Sequence, residues 1–372
     1  MDEVKPPVES GPGSAQPIQE APAAFAAAAV VAQPSFPQYT DRSTGLVVFG
    51  VFQIILGLLA ALMIPMVGLG AFVSRLAPGG GMRPGQIVSA LATYGFIAGV
   101  LVALGIGSIQ TRRWARALTL IISWYWLIVG ALVTVMLTAV MPVALRNGLQ
   151  AQRSLPNAPP AALSTGVMAV VITFIIVFAA FFLIVVPLAF VIFYGRSDVA
   201  ATCRDHDPVG RWTDRAPLPI LGATIVFFVG ALYSFTVGVT SPVFPFFGRY
   251  LTGLPGTACF LVLAALDAYL SVGFFRLKTS AWWIGIISVP LRVFSMALTF
   301  ARADLMRAYS KMGFSDAQVN ALNANPVLRS HVLLFWSLIS MVLFSGYLVW
   351  VRRYFQMRRV EPQSSVLPAQ AG

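Results

Sequence analysis

Asp267 and Arg292 are the two charged residues that lie well inside long apolar stretches of this 372-residue chain. Asp267 comes nine residues before Arg276, and Arg292 thirteen after Thr279. At ~1.5 Å per helical residue they lie ~14 and ~20 Å from the same ends of two antiparallel neighbours, a difference that an arginine side chain spans. A lone charge at the centre of a bilayer costs about 3 kcal/mol or more, so one of each sign at compatible depth predicts a neutral pair. Such a pair serves either as a static tie or as a proton or substrate-anion site. Pro290, two residues before Arg292, removes the amide that would bond the Ile286 carbonyl and leaves a polar spot for the guanidinium to meet.

A second group of reactive side chains is Cys203-Arg204-Asp205-His206-Asp207-Pro208, with a thiol, an imidazole and two carboxylates in five residues. Zinc sites usually take four ligands from paired clusters. No second cluster follows, so this segment reads as a charged turn ended by Pro208, and neither metal nor cofactor is expected. His331 falls at the edge of an apolar block. No HExxH, GxSxG, Walker loop or dinucleotide fingerprint occurs, and the run from Pro78 to Gly85 lacks the Lys-Ser/Thr of a phosphate loop. Two histidines and one buried acid leave few players for acid–base chemistry. No catalytic residue is assigned, and the chain does not read as an enzyme.

The elements that must position Asp267 and Arg292 follow from composition. Hydrophobic residues make up 58% of the chain and charged residues 10%, against roughly 25% charged in an ordinary soluble domain. The apolar residues fall in long blocks near 45–74, 87–110, 115–141, 166–195, 218–240, 257–275, 281–301 and 332–351, and about 20 such residues carry a helix across a bilayer. Barrel strands would alternate every second residue, whereas these blocks are apolar all round. The fold class is an all-α polytopic transmembrane bundle of about eight spans, with the lipid bilayer as its solvent and partner. A homo-oligomer or another membrane protein as partner is left open.

The formal charge of +12 alone would suggest nucleic acid, yet only Lys5, Lys278 and Lys311 among the 25 cations are lysines, and the arginines cluster at block ends. That is the pattern of loops held on one side of a membrane, so no nucleic-acid binding is expected. Counting Lys and Arg in alternate connectors gives fifteen on the side of the N-terminal tail and nine on the other, which predicts a cytoplasmic (inner) membrane protein with both termini cytoplasmic. Residues 1–38, rich in Pro, Ala, Gln and Glu, read as a disordered tail and lack the basic start of a signal peptide. Cys203 and Cys259, placed on opposite sides of the bilayer, are expected to be free thiols. In the connector 302–330, Ser315-Asp316-Ala317-Gln318 predicts the start of a short helix, ended by Asn323 and Pro326.

Tyr39-Thr40-Asp41-Arg42 precedes the first span, and Trp212-Thr213-Asp214-Arg215 precedes the fifth; Gly57 and Gly230 match at the same offset of 173. Pro84-Gly85 pairs with Pro255-Gly256, and Leu120-Ile121-Ile122-Ser123 with Gly285-Ile286-Ile287-Ser288, in the same order. The halves therefore read as a tandem duplication of a four-helix unit, residues 39–200 and 212–358, with a connector at 201–211 and a tail at 359–372. On these matches Phe96 and Leu127 stand opposite Asp267 and Arg292. The Thr-Asp-Arg motif reads as a helix cap at the interface. Gly95, Gly99, Ala103 and Gly107 recur every four positions in the second span, and Gly230, Ser234 and Gly238 in the fifth; small residues on one face let backbones approach closely. The function expected is that of a non-enzymatic membrane component (assembly, sensory or structural). The alternative is a small-solute carrier using Asp267 and Arg292.

Overall fold

The computed structural model describes residues 39–76, 84–153, 165–312, 314, 319–320, 323 and 330–360. The tail 1–38, the Ser315–Gln318 segment, Pro326 and residues 361–372 lie outside them. Among the described residues eight helices are long and apolar enough to cross a membrane. In chain order the helices are α1 (Ser43–Leu76), α2 (Pro84–Ile109), α3 (Arg113–Arg153) and α4 (Thr165–Ala180), which passes through a wide turn at Phe181–Val185 into α5 (Val186–Tyr194). A short helix α6 (Ser197–His206) and a tight turn at Trp212–Arg215 lead to α7 (Leu218–Thr240). A hairpin of β1 (Val243–Phe246) and β2 (Arg249–Thr252) precedes α8 (Leu254–Phe275), α9 (Thr279–Arg302), α10 (Leu305–Met312) and α11 (Ser330–Val360).

Large apolar side chains such as Leu58, Val170, Phe174 and Val262 face outward, as a lipid-facing surface requires. Lipid is as apolar as leucine, so the helices are held by close packing and interhelical hydrogen bonds of roughly 0.6–2 kcal/mol each. Two core clusters form. One joins Leu46, Leu120, Val186, Phe190, Tyr194, Val199 and Cys203; the other joins Ile220, Phe227, Leu270, Phe274, Trp282, Leu348 and Val351. Interhelical bonds stitch each cluster: Ser108 Oγ donates to the Leu46 carbonyl, Ser271 Oγ to the Thr224 carbonyl at 3.0 Å, and Trp282 Nε1 to the Leu348 carbonyl at 2.8 Å.

Local chemistry explains the irregular turns. Pro187 has no amide for the Leu183 carbonyl, so the helix widens there; the freed carbonyl lies against Gly130 of α3, where no side chain would fit. Two helix-to-helix turns on the connector side, α2 to α3 and α8 to α9, take one form. Thr111 has φ 53° and Leu277 φ 54°, the Arg112 amide reaches back to Gly107 and the Lys278 amide to Gly273, at 2.8 and 2.9 Å, closing each helix as a left-handed cap does. Gly107 packs on Ala115 and Gly273 on Ala281 across these turns.

The structure departs from the sequence reading in two connectors and adds a helix in a third. The segment expected as a charged turn, 203–208, is largely helical: α6 carries apolar Val199 and Cys203 on one face and packs them into the first core. The hairpin was not foreseen; its turn places Phe247 and Gly248 at φ 40° and 94°, the geometry that matches strand twist, and Ser295 and Thr299 of α9 accept the two turn amides at 3.0 and 3.1 Å. Between spans seven and eight α10 is an addition, started by Asp304, whose Oδ1 accepts the Met306 amide at 2.9 Å; the described residues 319, 320 and 323 are helical where the short helix is expected, and its expected start lies outside the described residues.

Candidate functional site

α7, α8 and α9 bring three of the singled-out residues together. Arg292 Nη1 lies 2.7 Å from Asp267 Oδ1, and Asp267 Oδ2 faces Gly230, 3.2 Å from where a Cβ would stand. The Asp267 side chain is 4% exposed and that of Arg292 28%. The contact is an ion pair whose N–H is not aligned on the oxygen as a hydrogen bond demands. Nε and Nη2 of Arg292 are buried with no acceptor among the described residues. In the low dielectric of this site the attraction offsets desolvation only while both charges remain.

The small residues divide. Gly107 packs on Ala115 and Trp114, Gly230 on Asp267, and Gly238 on Phe260. A Cβ added at Gly95 or Gly99 meets nothing within 4 Å. The expected packing role of Gly95 and Gly99 is therefore not realised among the described residues: their face of α2 looks outward. The close approach of α1 and α2 uses other residues. Gly50 and Gly105 face each other, and Gly57 lies against Ala98 and Val102.

A polar layer on the connector side went unread in the sequence. Asp207 is 2% exposed. Its carboxylate accepts Arg211 Nη2 at 2.9 Å and the Arg113 amide at 3.4 Å, with Arg112 Nη1 3.6 Å away. The bonded Arg211 guanidinium holds the Asp207 carboxyl below the ordinary carboxylate range, against the opposing pull of burial. Arg113 also pairs with Asp214 at 3.5 Å, and Arg42 with Asp198 at 3.7 Å. Both Thr-Asp-Arg motifs thus enter this layer. Asp41 accepts the Ser43 amide at 3.0 Å, at the start of α1, whereas Asp214 accepts the Arg211 amide at 2.8 Å and closes the turn Trp212–Arg215, leaving α7 without a side-chain cap.

The reactive residues of 203–207 point apart. Cys203 is buried in the core, where burial pushes its thiol up to about 11; His206 Nδ1 bonds the Thr202 carbonyl; Asp207 faces the arginines. Among the described residues no group of three or more His, Cys, Asp or Glu converges to hold a metal. Cys203 and Cys259 are both free thiols. Buried Gln53, which donates to Thr119 Oγ1 at 3.0 Å between α1 and α3, is a second polar contact that the sequence reading passed over. A polar amide amid an apolar block was the available signal. No family model, curated protein or solved structure matches the chain at a significant level.

Proposed function

We propose that this integral membrane protein is a non-enzymatic membrane component, an assembly, sensory or structural partner, in which Asp267 and Arg292 tie α8 to α9. The observation that carries this reading is the sealing of the Asp267 carboxylate between Gly230 and Arg292. A transport site needs a carboxylate that water or solute reaches. The polar chemistry lies instead in the connector-side layer around Asp207, where a partner protein or a second copy would engage. The excess of Lys and Arg in the connectors on that side supports a cytoplasmic membrane with both termini inside.

A carrier that uses the pair is the second reading, favoured by the two Arg292 nitrogens without acceptors among the described residues. Thiol accessibility separates the two. Ala264 lies one turn from Asp267 on α8 and is buried. With both native cysteines replaced by alanine, Ala264→Cys in the folded protein is expected to resist a small charged thiol reagent that modifies an Asp205→Cys control on the exposed connector. Rapid modification of Ala264→Cys would establish a water path to the pair and favour the carrier.

The same proposal extends to origin: residues 39–200 and 212–358 are tandem four-helix copies. The matched left-handed turns support it, since Gly107 and Gly273, Thr111 and Leu277, and Ala115 and Ala281 share one offset of 166. In that register Leu101 and Trp126, in place of Phe96 and Leu127, stand opposite Asp267 and Arg292. Both line a small gap beside the Gln53–Thr119 contact, so the copies carry different polar ties at one location.

A further inference from the structure

The end of α11 and the start of α9 enclose a cavity of about 170 Å³ lined by Thr279, Trp282, Trp283, Arg352, Phe355 and Gln356. Its wall is fixed. Trp282 is buried and its Nε1 is anchored on the Leu348 carbonyl at 2.8 Å, and the Arg352 guanidinium lies over that ring, 5.3 Å from its centroid. Stacking on an indole face holds the cation in place without neutralising it. Among the described residues no carboxylate pairs with Arg352, and none lines the cavity.

Depth adds to charge. Trp283 and Trp350 are half exposed, and Arg353 stacks on Trp350 at 4.3 Å and on Tyr354 at 4.9 Å. Tryptophan, tyrosine and arginine at span ends mark the level of lipid headgroups. α9 opens at Thr279 without a side-chain cap, so the positive end of a 24-residue helix adds to the field at the cavity's edge. Trp283 and Phe355 offer apolar surface beside the cation. The first half differs at this place: α6 folds back beneath the start of α3 and seals it with Val199 and Cys203. In the second half no described helix folds back there, and the cavity lies between α9 and α11.

We infer that this cavity binds the headgroup of an anionic phospholipid, with Arg352 against the phosphate and Trp283 and Phe355 against the glycerol and first acyl carbons. A net-negative headgroup suits a wall whose charge is one cation with no carboxylate beside it among the described residues. A zwitterionic headgroup would bring an ammonium that no acid among the described lining residues receives.

The test uses the full chain in detergent, titrated with phosphatidylglycerol or phosphatidylcholine, with the one-lipid adduct read by native mass spectrometry. The wild type is expected to retain phosphatidylglycerol over phosphatidylcholine. Arg352→Gln should lower that preference about fivefold, the weight of one basic residue at an anionic surface. Arg352→Lys should keep most of it, Trp283→Ala should weaken retention of the adduct, and Arg353→Gln, outside the cavity, should leave it unchanged. Equal retention of both lipids by the wild type overturns the site. So does an equal loss in Arg353→Gln, which would reduce it to general surface charge. Displacement of the lipid by glycerol phosphate at equal concentration would assign the cavity to a free phosphate ester and overturn the lipid assignment.

Discussion

Gly50 of α1 and Gly105 of α2 approach so closely that neither has room for a side chain: a Cβ on Gly105 would stand 2.6 Å from the Gly50 carbonyl oxygen, and one on Gly50 would stand 2.8 Å from that of Gly105. Backbone meets backbone at this crossing. In lipid, where apolar burial drives no association, such contacts are a main source of stability.

Gly105→Ala is accordingly expected to destabilise the protein by about 1–3 kcal/mol, because the added methyl forces two helices apart. Gly99→Ala, with open space around it, should change stability by less than about 0.5 kcal/mol. Thermal midpoints of the two variants in one detergent check both, and equal losses would contradict the assigned crossing.

The contrast between Gly99 and Gly105 shows why part of this molecule was legible and part was not. Eight apolar blocks announce eight helices because length and composition alone determine whether a segment can span. The depths of Asp267 and Arg292 follow from counting residues along those helices. A span that is apolar all round carries no hydrophobic face, so the four-residue spacing of Gly95 and Gly99 says that they share a side without saying which way it looks. The burial of Asp207 was hidden for another reason. Its partner Arg211 is local, but Arg112 and Arg113 come from a turn almost a hundred residues earlier, and only the return of span four brings them together. The hairpin turn at Phe247 depends on Ser295 and Thr299, about fifty residues on.

Asp207 makes the stability depend on acid. Its carboxyl titrates below the ordinary aspartate value in the folded protein because of Arg211, so its contribution is fully present above pH ~3.9, the unfolded value, and is lost as pH falls through the lower folded one. Asp41, lowered by its bonds to Ser43, acts in the same direction. The thermal midpoint should hold between neutral pH and pH ~5 and fall below ~4. Asp207→Asn should lower the midpoint at neutral pH, a loss on the order of 2 kcal/mol, and flatten the acid limb. An unchanged acid limb in that variant would remove Asp207 from the account.

Orientation has a direct readout. With both termini inside, a reporter enzyme active only on the outer side should be silent when fused after Pro208 and active when fused near Asn320. The reverse pattern would invert the assignment of the Asp207 layer to the cytoplasmic face.

The tie between Asp267 and Arg292 is the centre of the account, and a double-mutant cycle measures it. Asp267→Asn and Arg292→Gln each leave a buried partner uncompensated, and each is expected to cost about 3 kcal/mol. The double variant should be milder than the sum of the two, with a coupling of about 1–3 kcal/mol, since the second change removes the charge that the first left unpaired. Chemical unfolding of the four proteins in one detergent gives the number directly. A coupling in that range is the predicted result; single losses that simply add would mean that Asp267 and Arg292 do not act on each other, and would contradict the structural tie between α8 and α9.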